Sequence, residues 1–147
     1  MAFFRKPSSE DVVRAGIEEL FPRLWRYSLV LTGDRVQADD LAQAASLRAL
    51  ERSNQFKVGT HLDRWLFTLT HRLWMNELRK QAVRRGGGLA SLDEVEILDT
   101  NPTPEMNILH KEVISGVLKL PEAQRATVLL VYAEGYTYSD AARILDI

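Results

Sequence analysis

The stretch from residue 60 to residue 85, THLDRWLFTLTHRLWMNELRKQAVRR, constrains the fold most strongly because its apolar residues recur at helical spacing. One apolar stripe comprises leucines spaced by four, three and four residues: Leu62, Leu66, Leu69 and Leu73. A second stripe lies about 140° around the same helix and consists of Phe67, Trp74 and Leu78. The pattern predicts a central helix buried on two sides, with Thr60 as N-cap and Asp63 completing a capping-box-like start.

A third set of side chains runs between the two apolar stripes, and we call it the basic strip. It comprises Arg64, Thr68, Arg72, Met75 and Arg79. Residues 61–85 carry six Lys or Arg residues and two acids, a net charge of +4. A cationic strip of this kind suits a phosphate backbone. A core helix with a solvated charged face has the same pattern, so this segment alone leaves both interpretations open.

The remaining composition indicates a globular chain of 147 residues, which is one ordinary domain or two small ones. The net charge of −1 is unevenly distributed, because residues 86–105 hold five acids and no base. The chain has no cysteine, which excludes disulfides and fits a reducing cytoplasm. It shows no secretory signal and no apolar run of the ~20 residues that span a bilayer. We therefore predict a cytoplasmic protein without a membrane partner.

Helical spacing recurs along the chain, and no segment alternates with a period of two, so the predicted fold is all-α. A first helix begins after Ser8 or Ser9, and Pro22 is expected to kink it or split it in two. Residues 32–34, Thr-Gly-Asp, end that segment, and a second helix follows over 35–52. This pattern predicts roughly four helices before residue 86 and three after residue 104.

Residues 86–104 differ in composition, with Gly86-Gly87-Gly88, two prolines and an acidic stretch, and we interpret them as a linker. They separate a first helical domain, 1–85, from a second, 105–147. Charge complementarity suggests that the acidic stretch 89–99 folds back onto the basic helix. In the second domain, Gly135 ends one helix and Thr137 begins another, as at the start of a helix-turn-helix.

Residues suited to catalysis or metal binding do not form a recognisable constellation. The three histidines are scattered and lack metal-ligand spacing: His61, His71 and His110. The glycines at 86–88 are not followed by the Lys-Ser/Thr of a phosphate-binding loop. We therefore expect no metal site, no cofactor and no enzymatic activity.

Three segments in this order resemble the bacterial sigma-70 family, specifically the compact extracytoplasmic-function (ECF) sigma factors. They are ADDLAQ…LRAL (38–50), WLFTLTHRLWMNELRK (65–80) and LPEAQRATVLLVYAEGYTYSDAARIL (120–145). The resemblance implies two helical domains. The first, a region 2 bundle, would bind the β′ clamp helices of core RNA polymerase and melt and read the −10 promoter element. The second, region 4, would read the −35 element through a helix-turn-helix, and an anti-sigma factor is an expected partner.

The resemblance also implies which residues act. The polymerase-binding motif falls on Asp39, Asp40, Leu41 and Gln43. The segment that meets promoter DNA carries Arg64, Arg72, Trp74, Asn76, Arg79 and Lys80, and its positive charge extends to Arg84 and Arg85. Cations would hold phosphates, and aromatic faces would hold unstacked bases. The sequence departs from the family at 44–46, where Ala-Ala-Ser replaces the usual Glu-x-aromatic, and at Arg72 and Asn76, so base preference does not transfer.

Two alternatives remain beside a sigma factor. One is a sigma-like protein-interaction module that binds polymerase or an anti-sigma regulator without reading −35 DNA, and the other is a small helical enzyme. The chain ends at Ile147, where the resemblance places the start of the turn before the recognition helix. We therefore expect no preference for a −35 sequence, a second domain less stable than the first, and a partly uncovered apolar side at Ala141, Ala142 and Leu145.

Overall fold

A computed structural model describes residues 6–84 and 112–147, and every regular element in these two ranges is helical. This confirms the all-α prediction. The first range contains α1 (Ser9–Thr32), α2 (Arg35–Glu51), a 3-10 turn (Ser53–Gln55) and α3 (Leu62–Arg84). The second contains helical residues 112–118 (here α4), α5 (Glu122–Val128), a π-helical continuation of α5 (Leu129–Ala133) and α6 (Tyr138–Leu145). The predicted linker, with its acidic stretch, lies outside the described residues.

Helix α1 begins at a capping box and runs unbroken through Pro22. Ser8 Oγ accepts the Asp11 N–H at 3.1 Å, and Asp11 Oδ2 accepts the Ser8 N–H at 3.2 Å. The prediction that Pro22 could split this segment is wrong, and the first range has three α-helices rather than four. A proline inside a helix costs about 3 kcal/mol, through the lost backbone hydrogen bond and the clash of its ring with the preceding turn. The continuous burial of 27–32 after the proline, with Val13 and Leu24, offsets that cost.

A left-handed glycine ends α1 where the sequence predicted. Gly33 has φ of 69° and its N–H donates to Leu29 O at 2.7 Å. Asp34 then caps α2 by accepting the Gln37 N–H at 3.3 Å. The tight turn sets α1 and α2 side by side, so that the two helices pack along their lengths.

Replacing Gly33 with alanine should lower the free energy of unfolding by about 1–2 kcal/mol, because the left-handed conformation crowds a Cβ atom. The matched control is Gly116→Ala in α4, where a Cβ would meet nothing within 4 Å. That change should raise stability by about 0.5–1 kcal/mol. Urea denaturation of both variants measures the difference, and equal effects at the two sites would contradict the role of Gly33.

Helices α1, α2 and α3 form a bundle whose core combines small and large residues. Helix α2 contributes a stripe of buried alanines, namely Ala38, Ala42, Ala45 and Ala49. Their small size lets the neighbouring helices approach closely. Helix α3 buries side chains from both predicted apolar stripes, among them Leu66, Phe67 and Trp74. The prediction of a central helix buried on two sides is therefore confirmed.

The start of α3 differs from the predicted cap. The helix begins at Leu62, and the first N–H of its ladder, that of Trp65, donates to His61 O at 3.2 Å. Thr60 therefore lies one residue before the cap position, and its hydroxyl donates to Lys57 O at 2.6 Å. The Asp63 carboxylate is consequently available for a distant partner.

The second range packs against the first. Gly135, with φ of 78°, ends the α5 segment, and Thr137 Oγ1 caps α6 by accepting the Asp140 N–H at 3.1 Å, as predicted. Helix α5 lies against α1, and α6 lies against α3. Ala141 and Leu145 are buried as a result. The prediction of a partly uncovered apolar side on α6 is wrong for these two residues, because α3 covers them, whereas Ala142 is half-buried.

Candidate functional site

The exposed side of α2, which we call the α2 face, combines acidic, amide and apolar side chains. Its members are Val36, Asp39, Asp40, Gln43 and Leu47. Val36 is 68% exposed and Leu47 is 59% exposed, so two large apolar groups flank the predicted polar residues. The indole N–H of Trp25 donates to Asp39 Oδ1, which fixes that carboxylate from α1. A surface of this kind suits a helical partner with apolar and cationic side chains.

Leu41 does not belong to this surface. Its side chain is only 7% exposed and joins the core of the bundle. The prediction that it contacts the polymerase is corrected, since α2 turns this position inward beside its buried alanines. Its contribution is to hold the helix that presents Asp40 and Gln43.

A groove of about 530 Å³ separates α2 from α3 and brings the two predicted residue sets together. Asp40 lines its α2 side. Its α3 side is lined by members of the predicted DNA-binding set, namely Trp74, Asn76, Arg79 and Lys80. The predicted polymerase-binding and DNA-binding residues therefore lie on adjoining surfaces of one bundle.

The basic strip is exposed over its C-terminal half. Its two arginines there, Arg72 and Arg79, are exposed and Met75 between them is half-buried, while the neighbouring Asn76, Lys80 and Arg84 are also exposed. Arg84 Nη2 lies 3.8 Å from Glu77 Oε1, a loose surface contact that adds little stability. Arg85 lies outside the described residues. The exposed guanidinium and ammonium groups form a cationic surface suited to phosphates.

Trp74 occupies the core instead of the surface. Its side chain is 3% exposed, and no described residue accepts a hydrogen bond from its buried Nε1. The predicted role of Trp74 in contacting DNA is not compatible with this position, because a base cannot stack on an indole enclosed by the bundle. The apolar stripe to which Trp74 belongs explains its burial.

Arg64 lies at the N-terminal end of the strip and is paired within the chain. Its Nη2 lies 3.1 Å from Asp140 Oδ2 and its Nη1 lies 3.3 Å from Asp140 Oδ1, a two-pronged ion pair between α3 and α6. The guanidinium carbon also lies 5.8 Å from the centroid of the Tyr136 ring. Arg64 is therefore half-buried, unlike the arginines at 72 and 79.

A second set of polar contacts adjoins this pair, and together they form what we call the junction cluster. It comprises Arg23, Asp63, Arg64, Phe67, Glu134, Tyr136 and Asp140. Arg23 Nε donates to Glu134 Oε2 at 2.7 Å, and the Tyr136 hydroxyl donates to Asp63 Oδ2. The Tyr136 ring meets the Phe67 ring edge-on, with centroids 6.1 Å apart.

The charges in the junction cluster stabilise one another. Burial disfavours the ionised form of Asp63. The hydrogen bonds from Tyr136 and the Arg64 backbone, with the Arg23 charge, outweigh that penalty and lower the pKa of Asp63. Burial, followed by the hydrogen bond to Asp63, raises the pKa of Tyr136. The hydroxyl therefore stays protonated at neutral pH and remains a donor to the carboxylate.

Most of the junction cluster was missed by the sequence reasoning. Asp63 and Asp140 were interpreted only as capping residues, and Arg23 and Glu134 are separated by 111 positions. In the sequence these positions are visible only as charged residues near helix ends, and that pattern does not identify the residues with which they pair. Arg64 was predicted to contact DNA, and the structure adds a partner within the chain.

The two described ranges contain no helix long and apolar enough to cross a membrane. They also contain no group of three or more His, Asp or Glu residues placed to hold a metal ion.

Two family models match this chain, one in each part of it. The sigma-70 region 2 family model matches residues 17–84, and the sigma-70 region 4 model matches residues 110–147. The ECF RNA polymerase sigma factor EcfG of Rhodopseudomonas palustris is 34% identical, over 91% of this chain and 73% of its own length. The ECF RNA polymerase sigma factor SigL of Mycobacterium tuberculosis is 31% identical, over 92% of this chain and 77% of its own length.

A solved structure shares the fold. It is the sigma factor RpoE in complex with the anti-sigma factor NepR from Bartonella quintana, with a TM-score of 0.72 and 24% identity. The match covers 90% of this chain and 82% of that one.

Proposed function

Because this chain belongs to the ECF RNA polymerase sigma factors, we propose that its α2 face binds core polymerase and its basic strip binds promoter DNA. The chain is a sigma factor that directs RNA polymerase to promoters and initiates transcription. Its role is binding rather than catalysis, and it acts in the cytoplasm, where bacterial polymerase transcribes. The residue assignments combine the motif positions of the family with the exposure of these side chains on α2 and α3.

The observation that carries these assignments is the groove between α2 and α3. Asp40 lines the α2 side of this groove and Arg79 and Lys80 line its α3 side, so the two surfaces adjoin. A polymerase segment docked on the α2 face would leave the exposed basic strip free for DNA. This arrangement allows one small bundle to hold both partners at once, as initiation requires.

An anti-sigma factor is a further partner under this proposal. The fold neighbour RpoE was solved in complex with the anti-sigma factor NepR.

The polymerase assignment is tested by the double variant Asp40→Ala/Gln43→Ala. Both side chains are exposed on α2, so the change should leave helix content intact. We expect the Kd for core polymerase to rise about tenfold, as truncation of central polar contacts costs about 1–2 kcal/mol. Fluorescence titration with core enzyme measures the affinity, and circular dichroism measures the helix content.

The matched control is Glu18→Ala/Glu19→Ala, which alters two exposed side chains on α1. This control should bind core polymerase like the wild type. An unchanged affinity in the α2 variant would remove the polymerase assignment.

A further inference from the structure

Arg64 belongs both to the basic strip and to the junction cluster. Its two terminal nitrogens face the two oxygens of Asp140 at 3.1 and 3.3 Å. A guanidinium group binds phosphate with the same planar fork that it uses for a carboxylate. The Asp140 carboxylate thus occupies the position on Arg64 that a DNA phosphate would need.

The apolar contacts around this ion pair cover the same end of α3. Helix α6 lies on α3, with Ala141, Ile144 and Leu145 buried. The Tyr136 ring lies against Phe67, and its hydroxyl binds Asp63. A DNA strand following the basic strip from Arg79 towards Arg64 would therefore meet the helices of residues 112–147, which we call the second helical unit.

From these contacts we propose that the second helical unit and promoter DNA compete for the N-terminal end of α3, so that full DNA binding requires the junction cluster to open. The Asp140 carboxylate acts as an internal phosphate mimic towards Arg64. This inference rests on the proposed function, because it assumes that the basic strip binds DNA.

The contacts are of a kind that permits opening. The arginine of each main ion pair is partly exposed, with Arg64 at 35% and Arg23 at 31%, whereas their partners Asp140 and Glu134 are 18% and 7% exposed. Partly exposed pairs contribute modestly and weaken with salt. When only part of the population is open, the apparent affinity equals the affinity of the open form multiplied by the open fraction. A closed population of about 90% would weaken DNA binding tenfold.

The test changes only residues of the second unit and leaves α3 intact. The variants are Tyr136→Phe, which loses the hydroxyl bound to Asp63, and Glu134→Gln/Asp140→Asn, which removes the two second-unit carboxylates that pair with Arg23 and Arg64. We expect the double variant to bind fluorescein-labelled oligo(dT) about tenfold more tightly and Tyr136→Phe a few fold more tightly. Oligo(dT) is suitable because phosphate contacts are independent of sequence.

Opening is measured separately with two dyes. The chain contains no cysteine, so Lys57→Cys and Arg143→Cys, both at exposed positions, give specific labelling sites on the two units. Energy transfer between the dyes should fall in both variants and also when oligo(dT) is added to the otherwise unaltered chain.

A charge control separates competition from general attraction. Glu18→Gln/Glu19→Gln makes the same change in net charge on the exposed side of α1 and should gain much less affinity. Equal gains in the two double variants, or unchanged binding by the junction variants, would overturn the competition. Failure of every form, including the wild type, to bind oligo(dT) would contradict the proposed DNA role of the strip, and the competition with it.

Discussion

Replacement of Trp74 by alanine is expected to lower the free energy of unfolding by about 3–5 kcal/mol, the usual cost of removing a large core aromatic. The side chain is 3% exposed and belongs to the central apolar cluster. Trp74→Phe should cost much less, since it keeps a ring in the core and removes a buried N–H without a described acceptor. Denaturation in guanidinium chloride measures both changes.

The matched control for Trp74 is Val83→Ala on the same helix, where the side chain is 82% exposed. It should change stability by less than about 0.5 kcal/mol. The phenylalanine variant also tests the role suggested by the resemblance. If Trp74→Phe keeps its stability but loses DNA binding, the indole acts in recognition and must leave the core to do so.

Changing Arg72 and Arg79 together to alanine should weaken binding to single-stranded DNA by about one to two orders of magnitude at low salt. Each phosphate contact to a single strand contributes about 0.7 to the slope of log K against log salt concentration. Losing two contacts should therefore reduce that slope by about 1.4. Both side chains are exposed on α3, so the loss would report on DNA rather than on folding.

The control for this pair is Arg14→Ala/Arg52→Ala, which removes the same charge from exposed positions away from the strip. Its slope should stay near that of the wild type. If the Arg72→Ala/Arg79→Ala variant keeps the wild-type slope of log K against log salt concentration, the strip is only a solvated face. Such a result would favour the alternative of a module that binds polymerase or a regulator without using this strip.

Local features of the fold could be predicted because their causes are local. Helical spacing identifies α3, and the turn at Gly33 and the cap at Thr137 depend only on residues within a few positions. Leu41 and Trp74 show where this reasoning becomes insufficient. Motif position placed both on contact surfaces, but the packing of three helices buried them.

The sequence by itself determined the helical class, the turn at Gly33, the cap at Thr137 and the family, since periodicity and motif order are properties of neighbouring residues. Only the tertiary structure decided the partners of Arg23, Asp63 and Arg64. The partners from the second range, Glu134, Tyr136 and Asp140, lie 73 to 113 positions away, and many acids along the chain are equally suitable by type. The packing of the helices decides which acid is used. The apolar side of α6 packs against α3, and this contact brings Asp140 to Arg64.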